Sequence, residues 1–195
     1  MKGKLLVLEG PDAAGKTTVL ASLMAKLGTS AVNLAFPGRN PGTLGELVYR
    51  LHHDHRSFGI ASITPTALQT LHIAAHLDAI ETTIIPLLHQ GTTIVLDRFW
   101  WSTVVYGTLQ GASKETLRQL IAAEKLAWGS IKPDHLFLLE RTQPLREDAR
   151  KDWLNLSKLY RELAQQEEEC YPVHRIANES TVDVAIEAIS KSASL

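Results

Sequence analysis

Residues 10–18 read GPDAAGKTT and follow the apolar run LLVLE. The spacing Gly10-x4-Gly15-Lys16-Thr17 is that of a P-loop, and the chemistry it suits is the holding of a phosphate chain. Glycines let backbone N–H groups wrap an anion, and a helix starting at the loop adds positive potential. On this reading Gly10, Pro11, Asp12, Ala13, Ala14, Gly15, Lys16, Thr17 and Thr18 form the cradle. Lys16 bridges the outer phosphates, and Thr17 offers its hydroxyl to Mg²⁺. The bland alternative is a Gly-rich turn with an exposed lysine.

Other residues could join this chemistry. TTIVLDRFWWS closes an apolar run with Asp97 and Arg98. A strand-end carboxylate near a P-loop can hold Mg²⁺, and Arg98 would add positive charge beside the phosphates. A structural Asp–Arg pair capping a sheet would read the same way. Arg39, in FPGRNPGTLGELV, either reaches an anion at the same edge or is a surface arginine. His72 and His76 are four apart and share one helix face. They contact a ligand or form a partly buried polar stripe; as a metal pair they lack a third ligand nearby. LHHDH at 51–55 reads as a solvated helix end, because adjacent residues point to different sides. Arg146 and Arg150, also four apart, either close over phosphates or belong to an exposed charged helix with Glu147 and Asp148.

These residues need a scaffold, and the alternation of patterns supplies one. Strand-like runs fall at 5–9, 31–36, 93–97, 135–140 and 171–176, separated by helix-like segments at 16–27, 43–53, 65–90, 100–109, 114–127, 152–168 and 182–192. Thr64-Pro65 reads as an N-cap and first helical residue, and Gly91 as a C-terminal stop. Pro86 predicts a break or kink near Thr83. Ser180-x-x-Asp183 resembles an acidic capping box. The alternation implies α/β architecture with a mostly parallel sheet covered on both faces and ligands at the carboxyl ends of its strands. The chain has 195 residues, 45% hydrophobic, and the default is a single domain, 1–195. A net charge of −1 gives no global field for nucleic acid or an anionic membrane, so neither is expected as a partner. The single cysteine, Cys170, cannot form an internal disulfide and is expected to be a buried thiol. The N-terminal apolar run is too short for a signal peptide or a span, which makes a cytoplasmic location the expectation.

The segments VLEGPDAAGKTT, FPGRNPGTLGELV, VLDRFWWSTVVYG and KPDHLFLLE, in this order, resemble the thymidylate kinases. LYRELA at 159–164 is similar to the helix after that family's lid. The resemblance implies a three-layer P-loop NTPase fold with a five-stranded parallel sheet, a short lid at about 141–152, ATP and Mg²⁺, and a homodimer. It implies transfer of the ATP γ-phosphoryl group to a nucleoside monophosphate, most simply dTMP to dTDP. Rival readings are a kinase of another or modified deoxynucleotide, and a non-catalytic nucleotide-binding module. By motif position, Asp12 faces the acceptor sugar, Arg39 and Arg98 hold the acceptor phosphate, and Tyr106 packs by the deoxyribose. Phe36 belongs to the same acceptor segment. Lys16, Arg98, Arg146 and Arg150 carry the catalytic charge, and Thr17 and Asp97 the metal. The chain departs from the family at His72 and His76, where a stacking Phe and a base-reading Arg are usual, and at Gly107, usually Gln. An unperturbed imidazole titrates near pH 6.5, so base preference is expected to shift between about pH 5.5 and 8.

Overall fold

The computed structural model describes residues 3–195. Five strands, β1 (Leu5–Glu9), β2 (Ala31–Ala35), β3 (Thr93–Asp97), β4 (His135–Glu140) and β5 (Val173–Ala177), form one parallel sheet in the order β2-β3-β1-β4-β5. The β1 strand is buried along its length because both sheet faces are covered, so LLVLE reads as a continuous apolar run rather than an alternating one. Alternation survives in which core each residue enters. Leu5 and Val7 pack in the larger core, and Leu6 and Leu8 in the other.

Helices α1 (Lys16–Leu27) and α8 (Val182–Ala193) cover the smaller core. The larger core lies under α3 (Pro65–Ala79), α4 (Ile85–His89), α5 (Trp100–Leu109), α6 (Lys114–Trp128) and α7 (Trp153–Glu167). Helix α2 (Leu44–Asp54) packs against α3. Thr43, Thr64 and Ser113 cap α2, α3 and α6 by accepting from the backbone N–H three residues on.

The expected break before Pro86 takes the form of a π-helical turn, Ile80–Ile84. The N–H of Ile85 donates to Ile80 O, and Pro86 has no N–H to continue the α ladder. The stretch Pro65–His89 remains helical over 25 residues with a mean hydropathy of 1.2, long and apolar enough to cross a membrane by composition. Here its α3 part packs between α2, α5 and α6.

Four expectations need correction. β5 starts at Val173, since Pro172 cannot donate to a ladder. Helix α8 is preceded by Thr181 and has no side-chain cap, so Ser180 and Asp183 form no capping box. Cys170 is exposed, in the turn after α7. Residues 147–149 make one 3-10 turn, so Arg146 and Arg150 do not share an α-helix.

Candidate active site

The P-loop joins β1 to α1 at the carboxyl edge of the sheet. Gly15 takes φ 90°, and a Cβ there would meet Asn178 Nδ2 at 2.4 Å, so both conformation and space demand glycine. Asn178, after β5, clamps the loop by donating from Nδ2 to Ala14 O at 2.8 Å. Lys16 lies inside the loop, its Nζ donating to Gly10 O and Pro11 O, each at 2.8 Å. Burial, with Arg98 adding to it, pushes its ammonium down to about 8 against the pull of Asp12, Asp97 and Glu9.

β3 delivers the second constellation. Arg98 sits in the left-handed region at φ 73°, uncommon for a non-glycine residue and a conformation that clusters at functional sites. Its Nη1 donates to Ser102 Oγ at 2.9 Å, and its Nη2 to Asp12 Oδ1. Burial would raise the Asp12 carboxyl, but Arg98 and Lys16 outweigh it and hold it below the usual range. Tyr106 OH accepts the Asp12 N–H at 2.9 Å, and the Arg98 guanidinium lies 5.4 Å from the Tyr106 ring centre.

Beneath these groups lies Glu9, which sequence reasoning passed over. It is fully buried and accepts from Phe99 N at 2.7 Å, Ser102 N at 3.1 Å and Ser102 Oγ at 2.9 Å. The chain Glu9–Ser102–Arg98 orients the guanidinium. Burial raises the Glu9 carboxyl, against Arg98, the Phe99 N–H and Lys16. The signal in the sequence was an acidic residue closing an otherwise apolar buried run.

A cavity of about 670 Å³ opens from the loop and is lined by Asp12, Thr17, Phe36, Arg39, Asp97 and Arg98. It continues past Tyr106 to Gln69, His72, His76 and Gln110. The volume falls within the range of small-molecule sites. Arg39 reaches it from the β2–α2 loop, its guanidinium 4.5 Å from the Tyr49 ring centre. Asp97 Oδ1 is buried and has no hydrogen-bond partner among the described residues. An orphaned carboxylate oxygen sharing a cavity with the Thr17 hydroxyl fits a divalent cation bound through oxygen.

The two histidines behave differently. His76 is 2% exposed, stacks on Phe36 at 4.0 Å and 11°, and pairs through Nδ1 with Glu124 Oε2 at 2.8 Å. His72 faces His52 of α2, with Nε2 and Nδ1 3.1 Å apart. LHHDH is a largely exposed helix end, as expected, with His52 turned toward His72. Burial, with His76, His52 and Arg98 adding to it, pushes His72 down to about 3. Its ring is neutral throughout the physiological range, and the expected change of charge at His72 between pH 5.5 and 8 does not occur. Gly107 is closed in: a Cβ there would meet Leu117 Cδ2 at 2.7 Å and Gln69 Cγ at 3.0 Å.

The segment 141–152 returns to the loop. Leu145 N donates to Ala13 O at 3.0 Å, and Trp153 Nε1 to Thr142 O at 3.2 Å. Arg146 and Arg150 are exposed and pair with Asp148 at 3.3 Å and Glu147 at 3.0 Å. Neither lines the cavity, yet Arg146 is close enough to help lower the Asp12 carboxyl.

Known proteins resemble this chain in sequence and in fold. The sequence is similar to the thymidylate kinase of Chlorobium chlorochromatii (strain CaD3), 39% identical over 140 residues, 70% of this chain and 59% of that protein. It is similar to that of Parasynechococcus marenigrum (strain WH8102), 33% identical over 160 residues, 77% and 72% of the two chains. The fold resembles the crystal structure of thymidylate kinase from Ehrlichia chaffeensis, with a TM-score of 0.74, 22% identity and coverage of 98% and 99%. It also resembles the enzyme from Candida albicans, with a TM-score of 0.72, 21% identity and coverage of 97% and 90%. These two likenesses identify a P-loop NTPase fold. The sequence model of the family named thymidylate kinase matches residues 8–188, and the chain therefore belongs to the thymidylate kinase family.

Proposed function

We propose that this chain transfers the γ-phosphoryl group of ATP to a nucleoside monophosphate, dTMP first among them. The observation that carries the reading is the convergence of Asp12, Thr17, Asp97 and Arg98 on one nucleotide-sized cavity beside the P-loop that encloses Lys16. The donor's phosphates lie in the loop. A phosphate oxygen of the acceptor forms a bond to the γ-phosphorus while the bond to the β–γ bridging oxygen breaks, releasing ADP. Lys16 and Arg98 stabilise the charge carried by the transferring group, and Arg39 and Arg98 hold the acceptor phosphate. Asp12 and Tyr106 face the sugar. No general base is needed, because the attacking oxygen is already anionic. Thr17 and Asp97 would hold Mg²⁺, which when bound neutralises phosphate charge. The lid supplies further positive charge through Arg146. Homodimerisation enters this reading through the family resemblance, and light scattering tests it.

The test of the activity is ADP release from ATP and Mg²⁺ with a panel of monophosphates. Turnover with dTMP, abolished by Lys16→Ala, is the expected result. No turnover with any monophosphate, despite tight binding of ATP, would make the chain a nucleotide-binding module instead.

A further inference from the structure

LYRELA at 159–164 lies within α7, and one of its residues carries a buried hydroxyl that the phosphoryl-transfer machinery does not use. Tyr160 is 1% exposed, packs in the larger core and does not line the cavity. Its hydroxyl has one partner among the described residues, Ser102 Oγ at 2.9 Å. Ser102 Oγ in turn lies 2.9 Å from Glu9 Oε2 and accepts from Arg98 Nη1 at 2.9 Å. Three partners therefore meet on one hydroxyl, coming from β1, from the residue after β3 and from α7.

A serine hydroxyl has one hydrogen and two lone pairs, so three partners saturate it. A guanidinium only donates, so Arg98 takes one lone pair. The hydrogen and the other lone pair are divided between Glu9 and Tyr160, and both bonds form whichever of the two receives the hydrogen. Held from three directions, Oγ stays in place. Held from two, it can pivot about χ1 and release Nη1. That fixing matters because Arg98 sits at φ 73° and its other anchor, Asp12, is exposed. Helix α7 itself begins at Trp153, whose Nε1 donates to Thr142 O. The helix that carries Tyr160 is thus tied to the segment 141–152 at one end and to Arg98 near its middle.

We infer that Tyr160 is a positioning residue for Arg98: acting through Ser102, it holds the guanidinium on the acceptor's phosphate and makes α7, the helix after the lid, a determinant of acceptor use. The inference rests on the proposed kinase reading, in which Arg98 holds that phosphate, and deepens it. Tyr160 itself touches no reacting atom. The contacts that shape the donor's cradle, Lys16 to Gly10 O and Pro11 O and Asn178 to Ala14 O, do not involve it, so donor binding should be spared when its hydroxyl is removed.

Tyr160→Phe removes one oxygen and keeps the ring in the core. With ATP saturating, kcat/KM for dTMP should fall about threefold or more, the scale of one net hydrogen bond, while KM for ATP stays within about twofold. Ser102→Ala, which removes the shared hydroxyl, should cost at least as much. Tyr160→Phe/Ser102→Ala should lose less than about twofold beyond Ser102→Ala, because Tyr160 reaches Arg98 only through that hydroxyl. A merely structural tyrosine would lower Tm and leave the use of both substrates alone. ¹⁵N NMR of the arginine side chains gives a readout independent of activity, with the Arg98 signals assigned by their loss in Arg98→Lys. These signals should shift and broaden in unliganded Tyr160→Phe. A smaller fall with dTMP, an equal loss for ATP, a Ser102→Ala variant milder than Tyr160→Phe, a double variant that loses more, or unchanged Arg98 signals would each overturn the inference. Absence of wild-type turnover with every monophosphate would instead overturn the kinase reading and leave the NMR result to decide whether Tyr160 positions Arg98.

Discussion

Lys16, buried in the P-loop, and His72, half-buried in the cavity wall, are both bases, and their roles diverge. Lys16 is aimed into the P-loop, and on the proposed reading Lys16→Ala should cut kcat by several orders of magnitude while circular dichroism stays unchanged. His72 is held neutral by burial and by the imidazoles around it, with a folded value of about 3 against 6.5. The unfolded chain binds that proton below pH 6.5 and the folded chain only near pH 3, so stability contributed by this residue is lost as pH falls through that window. At pH 5 the loss is about 2 kcal/mol. Urea titrations of His72→Phe and wild type should show the variant losing less stability between pH 7 and pH 5. Equal losses would mean that the imidazole is solvated. The same scale shows what the sequence conveyed and what it did not. Gly10, Gly15, Lys16, Thr17, Asp97 and Arg98 were legible, because a loop of fixed length and a strand end locate them. Glu9, Glu124 and His52 were not. Their meaning lies in partners 90, 48 and 20 residues away, which no local pattern encodes.

Elements carry the next level of consequence. All five strands were legible because buried parallel strands are short apolar runs between breakers, and the helix break was legible from Pro86. The geometry of 141–152 was not, since i,i+4 spacing of Arg146 and Arg150 suggested a helix where only one 3-10 turn forms. The two arginines consequently differ. Both pair with acidic neighbours, but Arg146 also helps to hold the Asp12 carboxyl down, so on the proposed reading Arg146→Ala should lower kcat at least tenfold. Arg150→Ala should leave kcat within twofold, and steady-state kinetics on the two single variants separates them. Helix α5 offers a second case. Gly107→Gln would install the residue that the resemblance leads one to expect, but Leu117 already occupies that space. The substitution should cost about 1–3 kcal/mol in chemical denaturation rather than improve acceptor binding.

For the whole molecule, the two cores share one sheet, and the P-loop lies where β1 meets α1 at its centre. Asn178 and Leu145 tie the loop to distant parts of the chain, so a ligand held there stabilises the protein globally. A non-hydrolysable ATP analogue at about one hundred times its Kd should add about 2.7 kcal/mol, raising Tm by roughly 5–10 °C. Differential scanning calorimetry should find that shift in wild type and not in Lys16→Ala.

The strand order divides labour across the sheet. On one side of β1, the stretch from Ala31 to Gln110 supplies Phe36, Arg39, His52, His72 and Arg98; on the other lie the lid and Asn178. On the proposed reading, most of the acceptor pocket comes from one stretch of chain and the P-loop from another, with Asp12, Asp97 and Arg98 serving both where they meet at the central strands. Such a layout is modular in heredity as well as in space. Exchanging residues 31–128 with the matching stretch of a relative carries over the acceptor pocket together with its α6 support and leaves the triphosphate cradle untouched. A lineage can change which base it accepts without having to reinvent the phosphate chemistry.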